Sequence, residues 1–387
     1  MGRDSLLGVI LIAAIAFVTG DLGTRLISRI LVALGVVDVP TDRSSHCRPT
    51  PRGGGVAIVA AGIAAAIVSC LVGWMAPRAG LALVGGGSVV AVVGWLDDVR
   101  GLRWHVRLLA QFVAAGWALV WLGGFPAVEL GWARVEIGQL GIPLALLGIV
   151  WGTNFFNFMD GIDGIAASQA TFVGIVGGVL LLAGGRVGLG AVAFAVAFAA
   201  AGFLRHNWMP ARVFLGDVGS TWLGYTFCVV AVASANLGAV PMIVWGLLLG
   251  VFVFDATLTL VRRVLRGHAA NAPHREHAFC RATRGGWSHA GVTLRVGGLN
   301  LVLAVLAVAG WAWRPLILPA VALGLLMLTA AYRWLEARVP MSDESARARP
   351  ALRLIRNAGS PEEPLLGGRA APAAAGRSAL YEYRLTG

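Results

Sequence analysis

Apolar stretches close to twenty residues long recur along most of this chain, and roughly twenty residues is what a helix needs to cross the hydrocarbon core of a bilayer. Broken at charged or Gly/Pro-rich joints, they fall at 5–24, 54–75, 80–96, 106–123, 142–158, 165–183, 187–204, 219–236, 238–261, 291–313 and 316–334. Backbone in lipid must satisfy its own hydrogen bonds, so a chain of this pattern has one economical solution. The expectation is an all-α, polytopic transmembrane helical bundle of about eleven spans. Composition agrees: 58% of residues are hydrophobic and 13% charged, against roughly 25% charged in a soluble domain. The first stretch reads as a retained helix, because Asp4 weakens a signal-type n-region and no small-residue cleavage site follows it. The four cysteines have no C-x-x-C spacing and read as packing residues, not as a zinc site or disulfide framework.

Arginine sets the orientation. All 31 basic residues are arginine. Seventeen lie in or beside the loops that follow odd-numbered spans, and only Arg3, Arg78, Arg134, Arg186 and Arg314 lie on the other side. The positive-inside rule then places the odd loops and the C-terminus in the cytoplasm and the N-terminus outside. Histidine and aspartate test this independently. All seven histidines fall on the arginine-rich side, with Asp38, Asp42, Asp97, Asp98, Asp160, Asp163, Asp217 and Glu276. Titratable groups collected at one interface point to a site. The net charge of +12 is explained by cytoplasmic loops meeting anionic lipid, and nucleic acid is not an expected partner.

Three short motifs carry most of the chemistry. GWLDDVRGLRWHVRLLAQ (94–111) ends a span on the pair Asp97 and Asp98. Adjacent carboxylates suit a general base or a cation-facing pair, the alternative being a helix end neutralised by Arg100 and Arg103. NFFNFMDGIDGIAA (154–167) spaces Asn154, Asn157, Asp160 and Asp163 three apart, near one helical face. Four such groups suit a hydrated cation and a polar ligand; helix capping is the plainer reading, and the ligands of a calcium loop are incomplete. FLGDVGS (214–220) puts Asp217 at a span start, as a magnesium ligand or an ordinary N-cap.

Two weaker segments join them. PHREHAFCRATRGGWSH (273–289) offers His274, Arg275 and His277 to phosphate oxygens, the alternative being a positive-inside loop; it is not the H-E-x-x-H zinc motif. DVPTDRSSHCRPTPRGGGVAI (38–58) combines Asp42, Arg43, His46 and Arg52 with three glycines whose amides are able to bind an anion. Asp21 and Asp255 lie inside spans, either in a functional role or in helix-to-helix pairing.

In this order, from about Asp38 to His289, the motifs resemble the polyprenyl-phosphate N-acetylhexosamine-1-phosphate transferases, glycosyltransferase family 4. The family includes the phospho-MurNAc-pentapeptide translocase and the enzymes that initiate O-antigen and related glycans. The resemblance implies transfer of an N-acetylhexosamine-1-phosphate from a UDP-sugar to polyprenyl phosphate, releasing UMP. It implies Mg²⁺, with Mn²⁺ as a substitute, held by Asp217 and Asn157. It assigns Asp97 or Asp98 to the lipid phosphate, and Asp160 and Asp163, with Asn154, to the nucleotide side. His274, Arg275 and His277 would grip the diphosphate, aided by Arg52 and Arg100. The partners implied are a UDP-N-acetylhexosamine, polyprenyl phosphate and membrane lipid, with a homodimer permitted, in a bacterial plasma membrane with the active face cytoplasmic. H-R-E-H stands where the peptidoglycan branch resembles a triple-histidine pattern, which favours UDP-GlcNAc or a relative such as UDP-FucNAc.

Residues 1–336 are expected to form the transferase domain, with catalytic loops at 38–53, 97–105, 159–164, 205–218 and 262–290, and 337–387 to be a disordered cytoplasmic tail rich in Ala, Pro, Arg and Gly. The rival reading is a multi-span transporter or lipid flippase. Such sites lie near the bilayer midplane, whereas these motifs sit at span ends.

Overall fold

The computed structural model describes residues 2–40, 48–125, 127–269 and 274–341. Asp42, Arg43 and His46, and the tail from residue 342 onward, lie outside the described residues. In chain order the elements are α1 (Arg3–Ala33), β1 (Val37–Asp38), β2 (Thr50–Pro51), α2 (Val56–Leu71), α3 (Pro77–Leu81), α4 (Gly87–Arg100), α5 (Trp104–Leu122), β3 (Ala127–Glu129) and β4 (Arg134–Glu136). Then come α6 (Gly141–Phe158), α7 (Ile165–Ala183), α8 (Val187–Asn207), α9 (Gly216–Asn236), α10 (Met242–Leu248), α11 (Gly250–Leu265), α12 (Ala278–Arg284), α13 (His289–Ala312) and α14 (Ile317–Arg338). The strands form two small antiparallel pairs.

Each of the eleven apolar stretches is helical. Among the described residues nine helices are long and apolar enough to span a membrane. The other two stretches are the 16-residue α2 and the pair α10/α11, bent by 82° at Leu249. The third stretch is continuous from Pro77 to Arg100 but passes through a π-helical turn at Ala82–Gly86. A π turn frees carbonyls from the helical ladder. Here Trp117 Nε1 donates to Leu81 O and the Tyr225 hydroxyl to Ala82 O, both at 2.7 Å.

Lipid is as apolar as leucine, so helices in a bilayer associate by close packing and polar contacts rather than by escape from water. Glycine makes that packing possible here. A Cβ on Gly20 of α1 would stand 2.1 Å from the Ala199 carbonyl oxygen of α8, and one on Gly224 of α9 would stand 2.2 Å from the Gly152 carbonyl of α6. The centre of the bundle is α9, buried along nearly its whole length and packed by α2, α4, α5, α6 and α8. Its N-terminal end, the C-terminal ends of α4, α6 and α8 and the start of α13 gather the motif residues at one end of the bundle.

Candidate active site

Asp97 and Asp98 are successive residues of α4, so their side chains leave the helix about 100° apart and face different partners. Asp97 turns to α5: its Oδ2 lies 2.6 Å from Arg107 Nη1, and its Oδ1 accepts the Leu102 amide at 2.6 Å. Asp98 turns to α9 and is fully covered. Its two oxygens accept the backbone amides of Asp217 (2.8 Å) and Val218 (3.0 Å), and Arg52 Nε closes on Oδ1 at 2.8 Å. Asp98 therefore caps the N-terminus of α9, the role open to Asp217 on sequence grounds.

That cap leaves the Asp217 side chain free to face inward. Arg52 Nη2 pairs with its Oδ1, and Arg107 Nη1 with its Oδ2 at 3.0 Å. One guanidinium, Arg107, thus joins Asp97 to Asp217. Against burial, Asp217 and Asp98 raise the Arg52 guanidinium pKa, fixing its charge. Gly216 permits the arrangement with φ +76°; a Cβ there would sit 2.5 Å from Asp98 Oδ2 and 2.8 Å from Gly53 Cα. The amides of Gly53, Gly54 and Gly55 donate to Phe214 O and Leu215 O at 2.9–3.2 Å. Anion binding by that glycine turn is thereby corrected: its N–H groups are spent holding Arg52 beside Asp217.

The α6 motif divides by height. Asn154 Nδ2 donates to Gln111 Oε1 of α5 (2.6 Å), and Asn157 Nδ2 to Ser220 Oγ of α9 (2.9 Å), with the Asn157 amide against the Asp217 carboxylate. Asp160 lies past the helix end. Burial, opposed by Arg52 and reinforced by Asp217, Asp98 and Asp163, pushes its pKa up to about 7. Asp163 is held elsewhere: Oδ2 accepts the Ala211 amide at 3.0 Å, and Oδ1 lies 3.5 Å from His289 Nδ1.

The histidine segment is anchored by α11. Both oxygens of Asp255 accept the Ala278 amide at 2.9 Å, and Thr259 donates to Oδ1 at 3.0 Å. Asp255 thus starts α12 and resolves as a structural brace. His277 stacks on Phe158 and Phe279, its Nδ1 3.8 Å from Asp255 Oδ1. His274 lies against it, ring centroids 4.9 Å apart. Burial, then His277 and Arg263, bring the His274 pKa down to about 3, so it meets a ligand as a neutral imidazole. Glu276 is used internally, its Oε2 2.7 Å from Arg263 Nη1 with both side chains buried.

Part of this set lines a groove of about 700 Å³ between α4, α5, α6, α9 and α11, whereas Arg52, Asp97, Asp98, Asp160 and Asp163 lie outside its lining. Val90, Val93, Leu108, Leu147, Val150 and Leu260 make its apolar wall. Arg107, Asn154, Asn157, Asp217, His274 and His277 make its polar end. Arg100 is exposed at the end of α4 and forms no ion pair among the described residues, and Arg275, half-buried beside Cys280, does not line the groove. Sequence reasoning missed Arg107 and Gln111. The signal was a polar pair at i and i+4 on one face of an otherwise apolar helix. Asp21, the other in-span carboxylate, pairs with Arg25 of its own helix (3.2 Å) and braces α1 to α8 through Arg205 (3.0 Å) and His206 (2.7 Å).

The donor set suits magnesium. Asp217 and Asn157 present hard oxygens at the polar end of the groove, and a cation there would share the Asp217 carboxylate with Arg52 and Arg107. Among the described residues no three His, Cys, Asp or Glu side chains form a complete cage. A cation at Asp217 and Asn157 would take the rest of its shell from water and substrate phosphate.

Residues 80–235 match the family model of glycosyl transferase family 4. That range holds Asp97, Asp98, Asp160, Asp163 and Asp217 but neither Arg52 nor the histidine segment. The chain is 29% identical over 313 residues to a probable undecaprenyl-phosphate N-acetylglucosaminyl 1-phosphate transferase of Bacillus subtilis, spanning 79% of this chain and 86% of that protein. It is 35% identical over 289 residues to a phospho-N-acetylmuramoyl-pentapeptide-transferase of a Synechococcus species, 66% of this chain and 75% of that one. It is 28% identical over 297 residues to a decaprenyl-phosphate N-acetylglucosaminephosphotransferase of Mycobacterium tuberculosis, 67% and 72% of the two chains. The chain belongs to glycosyl transferase family 4, the polyprenyl-phosphate N-acetylhexosamine-1-phosphate transferases.

Proposed function

We propose that the protein transfers N-acetylglucosamine-1-phosphate from UDP-N-acetylglucosamine to polyprenyl phosphate at the cytoplasmic face of a bacterial plasma membrane, releasing UMP. The product, a lipid-linked diphospho-sugar, would prime an envelope glycan. The observation that carries this reading is the one-ended polarity of the groove: an apolar wall that suits a prenyl chain runs to a cationic and amide-rich end that suits two phosphates. Two of the relatives named above are N-acetylglucosamine-phosphate transferases, and H-R-E-H departs from the peptidoglycan pattern.

In the reaction, an oxygen of the lipid phosphomonoester forms a bond to the sugar-bearing phosphorus. The bond from that phosphorus to the bridging oxygen breaks, and the electron pair leaves on UMP. Both reactants are anions, so their repulsion must be neutralised before they approach. Arg107 and Arg52 supply fixed positive charge at Asp217. Asp97, paired with Arg107, is assigned the role of base or positioning group for the acceptor, and Asp98 holds Asp217 in place. His277 and neutral His274 close the polar end over the donor diphosphate. Magnesium, held by Asp217 and Asn157, would neutralise diphosphate charge when bound. Both Asp217 oxygens are engaged by arginine, which favours direct attack by the lipid over an aspartyl intermediate.

The test is product formation from radiolabelled UDP-N-acetylglucosamine, UDP-FucNAc and UDP-MurNAc-pentapeptide by purified protein with polyprenyl phosphate and Mg²⁺. UMP and labelled lipid form fastest from UDP-N-acetylglucosamine. Lipid product from the pentapeptide donor alone, or from none of the three, overturns the reading.

A further inference from the structure

A second cavity, of about 690 Å³, lies at the end of the bundle away from Asp217. It forms where the α2–α3 turn, the end of α5, the start of α6, the α7–α8 turn and the end of α9 meet. Its polar side chains are Arg78, Gln139, Arg186 and Asn236, and no carboxylate lines it. This bundle end holds only five of the arginines in the regions expected to be loops, and two of them are here. The positive-inside rule gives no reason for that pairing.

The backbone adds to the charge. Three long helices, Pro77–Arg100, Gly138–Phe158 and Val187–Asn207, start at this cavity, and none of the three starts has a side-chain cap. The helix ends of opposite polarity are already answered. Arg186 Nη2 donates to Leu237 O at the end of α9 (2.7 Å), and Asn236 Nδ2 donates to Leu122 O at the end of α5 (2.9 Å). One carbonyl at each of those two ends is thus engaged, while the three helix starts, with the positive partial charge of their amides, lie at the cavity. Arg186 is fixed by that contact, and its Nε is buried without a partner. Arg78 is exposed and forms no ion pair among the described residues. Trp74, Met75, Leu122 and Ile142 line the rest, so the ligand that fits is an amphiphile.

We propose that this cavity binds the phosphate headgroup of an anionic membrane lipid, its acyl-bearing part against the apolar side. The site is separate from the groove and stands whatever sugar the groove accepts. Arg78 and Gln139 are exposed, so Arg78→Ala and Gln139→Glu alter the charge of the lining without opening the core. Delipidated full-length protein in detergent is titrated with phosphatidylglycerol, phosphatidylcholine or inorganic phosphate, with bound lipid counted by native mass spectrometry and the thermal midpoint followed. Phosphatidylglycerol binds and raises the midpoint, and each variant weakens that binding about fivefold, the effect of one charge near a lipid surface. Phosphatidylcholine and inorganic phosphate leave the midpoint unchanged. Wild-type affinity for phosphatidylglycerol in both variants overturns the proposal. So does an equal shift from phosphatidylcholine, or a full shift from inorganic phosphate alone.

Discussion

Asp160 and Asp163 stand three residues apart with the same side chain, and their surroundings separate them. Asp163 accepts the Ala211 amide and lies beside His289, whereas burial, with smaller contributions from Asp217, Asp98 and Asp163, pushes the Asp160 pKa up to about 7 against Arg52. A carboxyl whose folded pKa lies above its unfolded value contributes stability that is whole below the unfolded pKa and is lost as pH rises through the folded one. Asp160→Asn is therefore expected to be more thermostable than wild type above pH 7, the difference vanishing near pH 4. Thermal midpoints of the metal-free proteins across that range check it, and a variant less stable at pH 8 contradicts it. That Asn154, Asn157, Asp217, His274 and His277 come together at one groove is legible in the sequence, because their motifs all sit at span ends on one side. The division of labour within the aspartate pair is not, because which neighbour turns to α5 and which to α9 depends on the rotation of α4, which follows the π turn at Ala82–Gly86. Arg107 counts as a loop-side charge in the sequence, because its i, i+4 pairing with Gln111 marks a polar face on α5 without showing what that face meets.

At the level of helices, hydropathy located all eleven apolar stretches but not their interruptions. The run GLLLGVFVF across residues 246–254 is apolar throughout, so a window averages over the 82° bend at Leu249. The bend exposes a carbonyl that lipid cannot satisfy. Gln169 Nε2 of α7 donates to Leu248 O at 3.1 Å, and Asn300 Nδ2 of α13 holds Gln169 Oε1 at 2.5 Å. Beyond the bend, α11 carries Leu260 into the groove wall and Asp255 under His277. Gln169→Leu is expected to cost about 1 kcal/mol of stability, in the range of buried polar contacts in bilayers, and to raise KM for polyprenyl phosphate several-fold. Steady-state kinetics with the lipid varied check this, and an unchanged lipid KM contradicts it.

For the molecule as a whole, the gathering of polar motifs at one end of the bundle is a geometric fact that arginine counting anticipated; which end faces the cytoplasm follows from the positive-inside argument. Cysteine labelling in cells tests it. In a cysteine-free background, Trp132→Cys at the exposed hairpin between β3 and β4 is expected to react with a membrane-impermeant thiol reagent in intact cells. Arg103→Cys, exposed before α5, is expected to react only after permeabilisation. The reverse pattern inverts the topology. The polar end of the groove is tested by the rate of sugar-phosphate transfer by Asp217→Asn beside wild type and Arg100→Ala, each confirmed folded, with and without EDTA. The expected result is at least a hundredfold loss in Asp217→Asn, the scale of removing a preorganised electrostatic group, abolition by EDTA in wild type, and a rate within about twofold of wild type for Arg100→Ala, as for a surface side chain. Transfer by Asp217→Asn at more than a tenth of the wild-type rate, or undiminished by EDTA in wild type, would contradict it.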